Sequence, residues 1–266
     1  MNRAEVVGAF NAQVRQSTEP DGTGATFEAD EYVVRRYARP GRGGSGVFWS
    51  ALDAEVADAV IAAQVSLFAA RGEEFEWKLY SYDEPADLAG RLVAAGLHPD
   101  EPESWMVAES AGVCAALSGA LPPDGVRLVE VTDPAGVDLL ADVHEAVFGK
   151  DESQRRAELR AQLKEAPEST CLVIALAGEE PVSAARIEFG PGAFAGLWGG
   201  GTIEAWRGRG IYRAMVRHRA ERAIARGYPY LTVDASDQSR PILERIGFEC
   251  LAITTPYLWS PVGQPA

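Results

Sequence analysis

LWGGGTIEAWRGRGIYRAMVRHRAERA, residues 197–223, is the stretch that decides the reading of this chain. A strand-like start is interrupted by Gly199, Gly200 and Gly201, a loop Arg207-Gly208-Arg209-Gly210 follows, and a helix begins inside that loop. Glycines let a backbone approach a ligand closely, and the first-turn N–H groups of a helix carry about half a positive charge toward whatever lies before it. Such a connection is an anion cradle. Arg207 and Arg209 add charge-assisted contacts suited to phosphate. A solvated Arg-Gly turn is the plainer alternative, and the flanking segments weigh against it.

Downstream, YLTVDAS (230–236) reads as a strand, PILERIGF (241–248) as a short helix running into a turn, and ECLAITTPYLW (249–259) as a last strand. Upstream come the strand RLVEV (127–131), helices at about 134–148 and 152–166 with Asp133 capping the first, and a hairpin of TCLVIAL and VSAARIEF around GEEP. With these flanks, residues 126–259 resemble the GNAT family of acetyl-CoA-dependent N-acetyltransferases. Arg207, Gly210 and Ile211-Tyr212 occupy the places of a loop pattern Arg/Gln-x-x-Gly-x-Gly/Ala, and YLTVDASDQSRPILERIGFE matches a strand-helix-Gly-Phe element.

The resemblance implies an α/β (α+β) fold of two GNAT-like lobes, each a mixed, largely antiparallel sheet flanked by helices. It implies acetyl-CoA as cofactor, its pyrophosphate on the backbone amides of Gly208, Arg209, Gly210, Ile211 and Tyr212. Gly201 and Thr202 would meet the pantetheine, with Arg207, Arg213 and Ser239 as further cofactor contacts. Two departures stand out: Tyr212 occupies a Gly/Ala place, and Leu243 replaces the tyrosine that protonates the departing thiolate in many members. A thiol with pKa ~8.5 leaves without much help, so transfer to an amine survives on positioning. Candidates for the amine's base are Glu188, Asp234 and Glu204, the last preferred because it adjoins the cofactor strand; each also reads as a surface carboxylate. Tyr257 is a candidate at the acceptor cleft, or else a core aromatic. Cys171 and Cys250 sit in apolar strands, which disfavours an acyl-cysteine route.

The first half reads as a helix at 4–17, strands at 32–38 and 46–52 around the turn at 39–46, and a helix 54–71 capped by Asp53 and closed by Gly72. FEWKLYSY (75–82) is a strand, Asp83 is placed to cap a second helix ending at Gly96, and SWMVAE (104–109) is another strand. The small, turn-rich 112–125 marks a boundary, giving a lobe 1–112 and a cofactor lobe 123–266. Helices ending LVAAGL (92–97) and LERIGF (243–248), each between strands, point to a duplication. The first copy has no phosphate loop. LDAEVADAV (52–60) puts acids at its helix start, so this lobe is expected to be a degenerate, structural or substrate-shaping wall. Its acids Glu73, Glu74, Glu76, Asp83 and Glu84 would attract a cationic amine, or simply face solvent.

The 266 residues carry a net charge of −14, and of the charged residues 9 basic and 19 acidic ones fall within 1–122. That field disfavours nucleic acid and anionic membranes as partners. Against it, seven arginines fall within 207–226. Three cysteines without CxxC spacing and three histidines argue against a metal site and for a reducing, cytoplasmic setting, and no apolar run of ~18 residues occurs. The expected function is transfer of an acetyl group to a primary amine of a small or cationic molecule, or of a protein N-terminus or lysine, by a monomer or homodimer. The alternative is a non-catalytic acyl-CoA-binding module.

Overall fold

In a computed structural model, which describes residues 1–39 and 44–261, helix α1 (Arg3–Phe10) continues into a wider π turn at Asn11–Arg15 where the sequence predicts one uninterrupted helix. Strands β1 (Thr26–Ala29), β2 (Val33–Tyr37) and β3 (Gly46–Ser50) precede helix α2 (Ala57–Arg71). Asp53 Oδ1 accepts the amides of Glu55 and Val56 just ahead of α2, and Gly72 closes it with φ 66°. Then come β4 (Phe75–Tyr80), α3 (Leu88–Ala94), β5 (His98–Pro99) and β6 (Glu103–Glu109). The turn expected at 39–46 lies partly outside the described residues.

Two expectations for this half are corrected. Asp83 does not cap α3; its carboxylate holds Arg15 through two bonds of 2.8 Å, docking the N-terminal segment on the sheet. The turn-rich 112–125 begins instead with a helix, α4 (Ser110–Ala116), because Val113 and Leu117 find an apolar seat against Val216 and Ala220.

The second half follows the predicted order: β7 (Val126–Val131), α5 (Pro134–Phe148), α6 (Ser153–Glu165), β8 (Thr170–Ala177), β9 (Glu180–Phe189), β10 (Phe194–Thr202), α7 (Ile211–Ala225), β11 (Tyr230–Ala235), α8 (Arg240–Glu244) and β12 (Glu249–Trp259). Asp133 caps α5 by accepting the Gly136 amide at 2.8 Å. The strands join in one mixed sheet, β1-β2-β3-β4-β12-β6-β11-β10-β9-β8-β7, with β5 on β12. Only β3–β4 and β10–β11 are parallel among the paired strands.

The same succession, a strand, a helix and a parallel partner strand, thus occurs in β3-α2-β4 and again in β10-α7-β11. The boundary expected at 112–125 falls between β6 and β7, and strands from both sides of it join the one sheet. β6, from the first half, pairs with β11, and β12, from the second, pairs with β4, while β6 and β12 lie side by side. Each half completes its sheet with the other's last long strand.

Register assigns the faces. α2, α3, α4 and α7 cover the side bearing Trp77, Met106, Leu231 and Tyr257. α5 and α6 pack on the other side against Leu172, Ile174 and Ala184, and α1 packs there through Val6 and Phe10 on Tyr80, Trp105 and Phe194. Between α1 and the α5–α6 turn that side is open.

Candidate active site

β10 and β11 are bonded only at Phe194–Gly196 against Tyr230–Thr232, and beyond Gly196 they part. On its other edge β10 slips by one residue against β9 between Trp198 and Gly201. A bulge there turns backbone groups away from the ladder and toward the gap. Gly199 has φ 58°, a left-handed geometry that favours glycine, and a Cβ on it would lie 2.7 Å from His144 Cε1.

The bulge is clamped from both faces. His144 of α5 bonds the Gly199 carbonyl through Nε2 at 2.7 Å. Burial, with the nearby Arg186 charge, pushes His144 down to about 4, so the ring is neutral at physiological pH and Nε2–H is the donor. From the opposite face Arg219 of α7, 1% exposed, donates to the carbonyls of Arg186 and Met215, both at 3.2 Å. Burial lowers its pKa to about 10, and it remains charged. Its guanidinium and the Tyr212 ring lie beneath Gly200, so Tyr212, the residue departing from Gly/Ala, packs inward. A fixed positive charge therefore sits under the bulge, where it favours negative charge developing in the gap.

His144 provides a pH prediction. Its folded value lies below the unfolded ~6.5, so the unfolded chain binds the extra proton between these values and stability falls as pH drops from about 6.5 to about 4. Over that window the loss is about 3 kcal/mol. Urea denaturation at pH 7.5 and 4.5, repeated on His144→Gln, should show a smaller acid loss in the variant.

From the bulge the chain passes Thr202 and a 3-10 turn at Glu204–Trp206 into the phosphate-type loop. Arg207 Nε donates back to the Thr202 carbonyl at 3.0 Å, and the Arg209 guanidinium stacks 4.6 Å from the Trp206 ring. Gly208 and Gly210 have φ 74° and 86°, and no side chain caps α7. Ile211, buried with Val173, Val182 and Met215, anchors the helix start, and Arg213 is exposed in its first turn. Ser239 lies apart at the start of α8, bonded to the Ser236 carbonyl. Gly201, Thr202, Arg207, Gly208, Arg209, Gly210, Ile211 and Tyr212 are thus brought together along one connection.

The carboxylates separate. Glu188 on β9 already accepts Arg186 Nε at 2.7 Å. Glu204 is exposed on the turn beyond the end of β10. Tyr257 is buried among Val33, Phe75 and Trp77 in the core of the first half and does not join them. Leu243 is 0% exposed in the core beneath β11, so no proton donor stands at that position.

Asp234 lies on β11 just past the parting point, and a group unforeseen as a unit surrounds it. Lys78 of β4 donates to Asp234 Oδ2 at 2.5 Å, with side chains 11% and 8% exposed. Burial alone would lower Lys78, and the Asp234 charge outweighs it and raises the ammonium's pKa. Glu103, at the start of β6, is pushed up to about 7 by burial and then by Asp234. The alternation Glu76-Trp77-Lys78 in a strand is the one local sign of this cluster, since it puts two charges on one sheet face. A cleft of about 460 Å³ opens on that face, lined by Arg36 and Glu76 from the first half, Glu188 from β9, and Lys150, Asp151 and Glu152 from the α5–α6 turn.

Another grouping, Glu130, Cys171 and His218, brings its donor atoms within 4.8 Å. Glu130 Oε1 is already engaged by His218 at 2.9 Å and by Arg222, and burial pushes the Cys171 thiol up to about 11, so the contacts are those of a structural ion pair.

Residues 137–248 match the Acetyltransferase (GNAT) family. Over 98% of this chain and 96% of the other, the fold is similar to a GCN5-related N-acetyltransferase from Kribbella flavida, with TM-score 0.68 and 18% identity. A tandem GNAT protein from the clavulanic acid biosynthesis pathway aligns over 88% of this chain and 79% of its own, with TM-score 0.62 and 12% identity. A GCN5-related N-acetyltransferase from Sphaerobacter thermophilus aligns over 89% and 76%, with TM-score 0.56 and 16% identity. No curated protein matches the chain in sequence. No helix among the described residues is long and apolar enough to cross a membrane. The parted strands, the glycine bulge and the uncapped α7 all fall within residues 137–248, the part of the chain that matches the Acetyltransferase (GNAT) family.

Proposed function

We propose that the chain is an acetyl-CoA-dependent N-acetyltransferase acting on a primary amine of a small or cationic molecule, or on a protein N-terminus or lysine. The observation that carries this is the continuity of the site: parted β10 and β11, a bulge clamped over a buried cation, and an uncapped helix start reached through Arg207–Gly210. These residues fit the group. The amides of Gly208–Tyr212 form a diphosphate cradle, and the β10 edge that β11 leaves free offers backbone groups to a pantetheine arm. Acetyl-CoA bound there supplies an activated acetyl thioester.

The chain's own contributions follow. β10 orients the thioester through its free edge, and His144 fixes the bulge so that this edge does not shift. The Arg219 charge and the bulge dipoles favour a developing oxyanion without reorganising. The open face admits the amine from the side of the α5–α6 turn. The acidic first half draws cations toward it.

Incubating the protein with acetyl-CoA and a panel of phenethylamine, spermidine, glucosamine, lysine and a free peptide, while following thiol release, tests the proposal. Turnover on a primary amine is expected. Leu243 favours a second reading, a non-catalytic acyl-CoA-binding module, and tight CoA binding with no turnover on any amine would select it. In either case Arg209→Ala is expected to weaken CoA by about 5- to 10-fold in calorimetry, less at high salt, because an exposed charge–phosphate contact is screened.

A further inference from the structure

We propose that Asp234 and Glu103 form the acceptor-amine seat of this site, with Glu103 taking the proton of the incoming alkylammonium group; the inference rests on the acetyl transfer proposed above. Position comes first. Asp234 is the next residue on its face after Thr232, the last β11 residue paired with β10, and it stands opposite Trp105 of β6. The Trp105 indole donates to Thr232 Oγ1 at 2.8 Å, which fixes the two strands' side chains on a common face. Glu103 lies on that face two residues before Trp105, opposite Thr254 of β12. Asp234 therefore stands at the mouth of the gap, with Glu103 one strand further on β6 and on the same sheet face, the face on which the cleft and the α5–α6 turn lie.

The second observation is an unmade bond. The Asp234 side chain is 8% exposed, and while Oδ2 holds Lys78, Oδ1 is buried and has no donor among the described residues. A buried acceptor left unsatisfied is destabilising, and an ammonium N–H would satisfy it. The groups facing Glu103 are Asp234 from β11, Lys78 and Glu76 from β4, and Asp100 from the turn before β6. They hold three carboxylates against one ammonium, so a second cation is welcome. Glu103, near 7, passes between its charged and neutral forms at physiological pH, as a base for an amine must. Neither Glu188, held by Arg186, nor Glu204, beyond the end of β10, has this combination.

The step balances. The ammonium gives one proton to the Glu103 carboxylate, the freed nitrogen lone pair forms the C–N bond as the C–S bond breaks, and the remaining surplus proton leaves with the thiolate or to solvent. The exchanged strand β6 thus carries the base from the first half into the second half's site. That gives the half without a phosphate loop a chemical task.

The experiment has two arms. In the protein without cofactor, carbon-13 NMR of the Glu103 carboxyl should show a midpoint near 7 that moves down on adding n-butylamine hydrochloride. In turnover, Glu103→Gln should lower kcat by about 10²-fold or more and remove the rise of kcat/KM through pH 7, while CoA affinity stays within about twofold; Glu101→Gln, an exposed neighbour, should change neither. A midpoint near 4.5 that ignores the amine, or an unchanged pH profile in Glu103→Gln, would overturn the assignment. Should no amine be turned over, the acetyl-transfer reading fails on its own, and the NMR arm still decides whether Glu103 and Asp234 receive an amine.

Discussion

Gly199→Val is expected to lower kcat/KM for acetyl transfer by about 10²- to 10³-fold with the fold intact, the scale seen when an oxyanion donor is lost or reacting atoms are displaced by about 1 Å. The valine would have to take φ 58° and place its Cβ 2.7 Å from His144 Cε1 and 3.2 Å from Arg186 Nη1. His144 cannot retreat without abandoning the Gly199 carbonyl, so the bulge must change shape. Gly72→Ala is the control, with a similar φ of 66° but no atom within 4 Å of the added carbon. It should show about 1 kcal/mol of left-handed strain and unaltered kinetics. Equal activity losses in the two variants would mean that the bulge geometry is immaterial.

Lys78→Met should destabilise the protein by about 3–5 kcal/mol, the usual penalty for stranding one partner of a buried ion pair. Asp234 would keep a carboxylate 8% exposed with neither oxygen bonded to a cation. For a chain of this size that corresponds to a fall in Tm of about 10 °C. The double variant Lys78→Met/Asp234→Asn removes the orphaned charge and should recover at least half of the loss in urea denaturation. Failure to recover would mean that Lys78 acts through packing of its methylenes instead of through charge.

What the sequence discloses is what is local. The Asp133 cap, the Gly72 closure, the hairpin around GEEP and the run from Gly199 to Ile211 are each written in neighbouring residues, and each is found in place. Asp83 misled because its position is that of a cap while its partner, Arg15, is distant in sequence. The strand exchange of β6 and β12 leaves no local mark, since an alternating strand carries no label for its neighbour. Glu103 carries no local mark for the same reason: its character is set by burial and by Asp234, Lys78 and Glu76, brought together only when β4, β12, β6 and β11 align. Tyr257 shows the converse, an aromatic near the C-terminus that a strand pairing with β4 carries into the far core.

The acidity of the chain also has a finer meaning. The carboxylates near the gap come from both halves, Glu76 and Glu103 from the first and Asp234, Glu188 and Glu152 from the second, while seven arginines gather in α7, just after it and in the loop before it. In the proposed function, charge is thereby divided between an amine side and a phosphate side of one parted pair of strands.

A crystal structure with acetyl-CoA tests that division most directly. The diphosphate is expected on the amides of Gly208–Tyr212 and the thioester between β10 and β11, beside the Trp198–Gly201 bulge and facing Asp234. A diphosphate bound elsewhere, or β10 and β11 closed into a continuous ladder beyond Gly196, would contradict it.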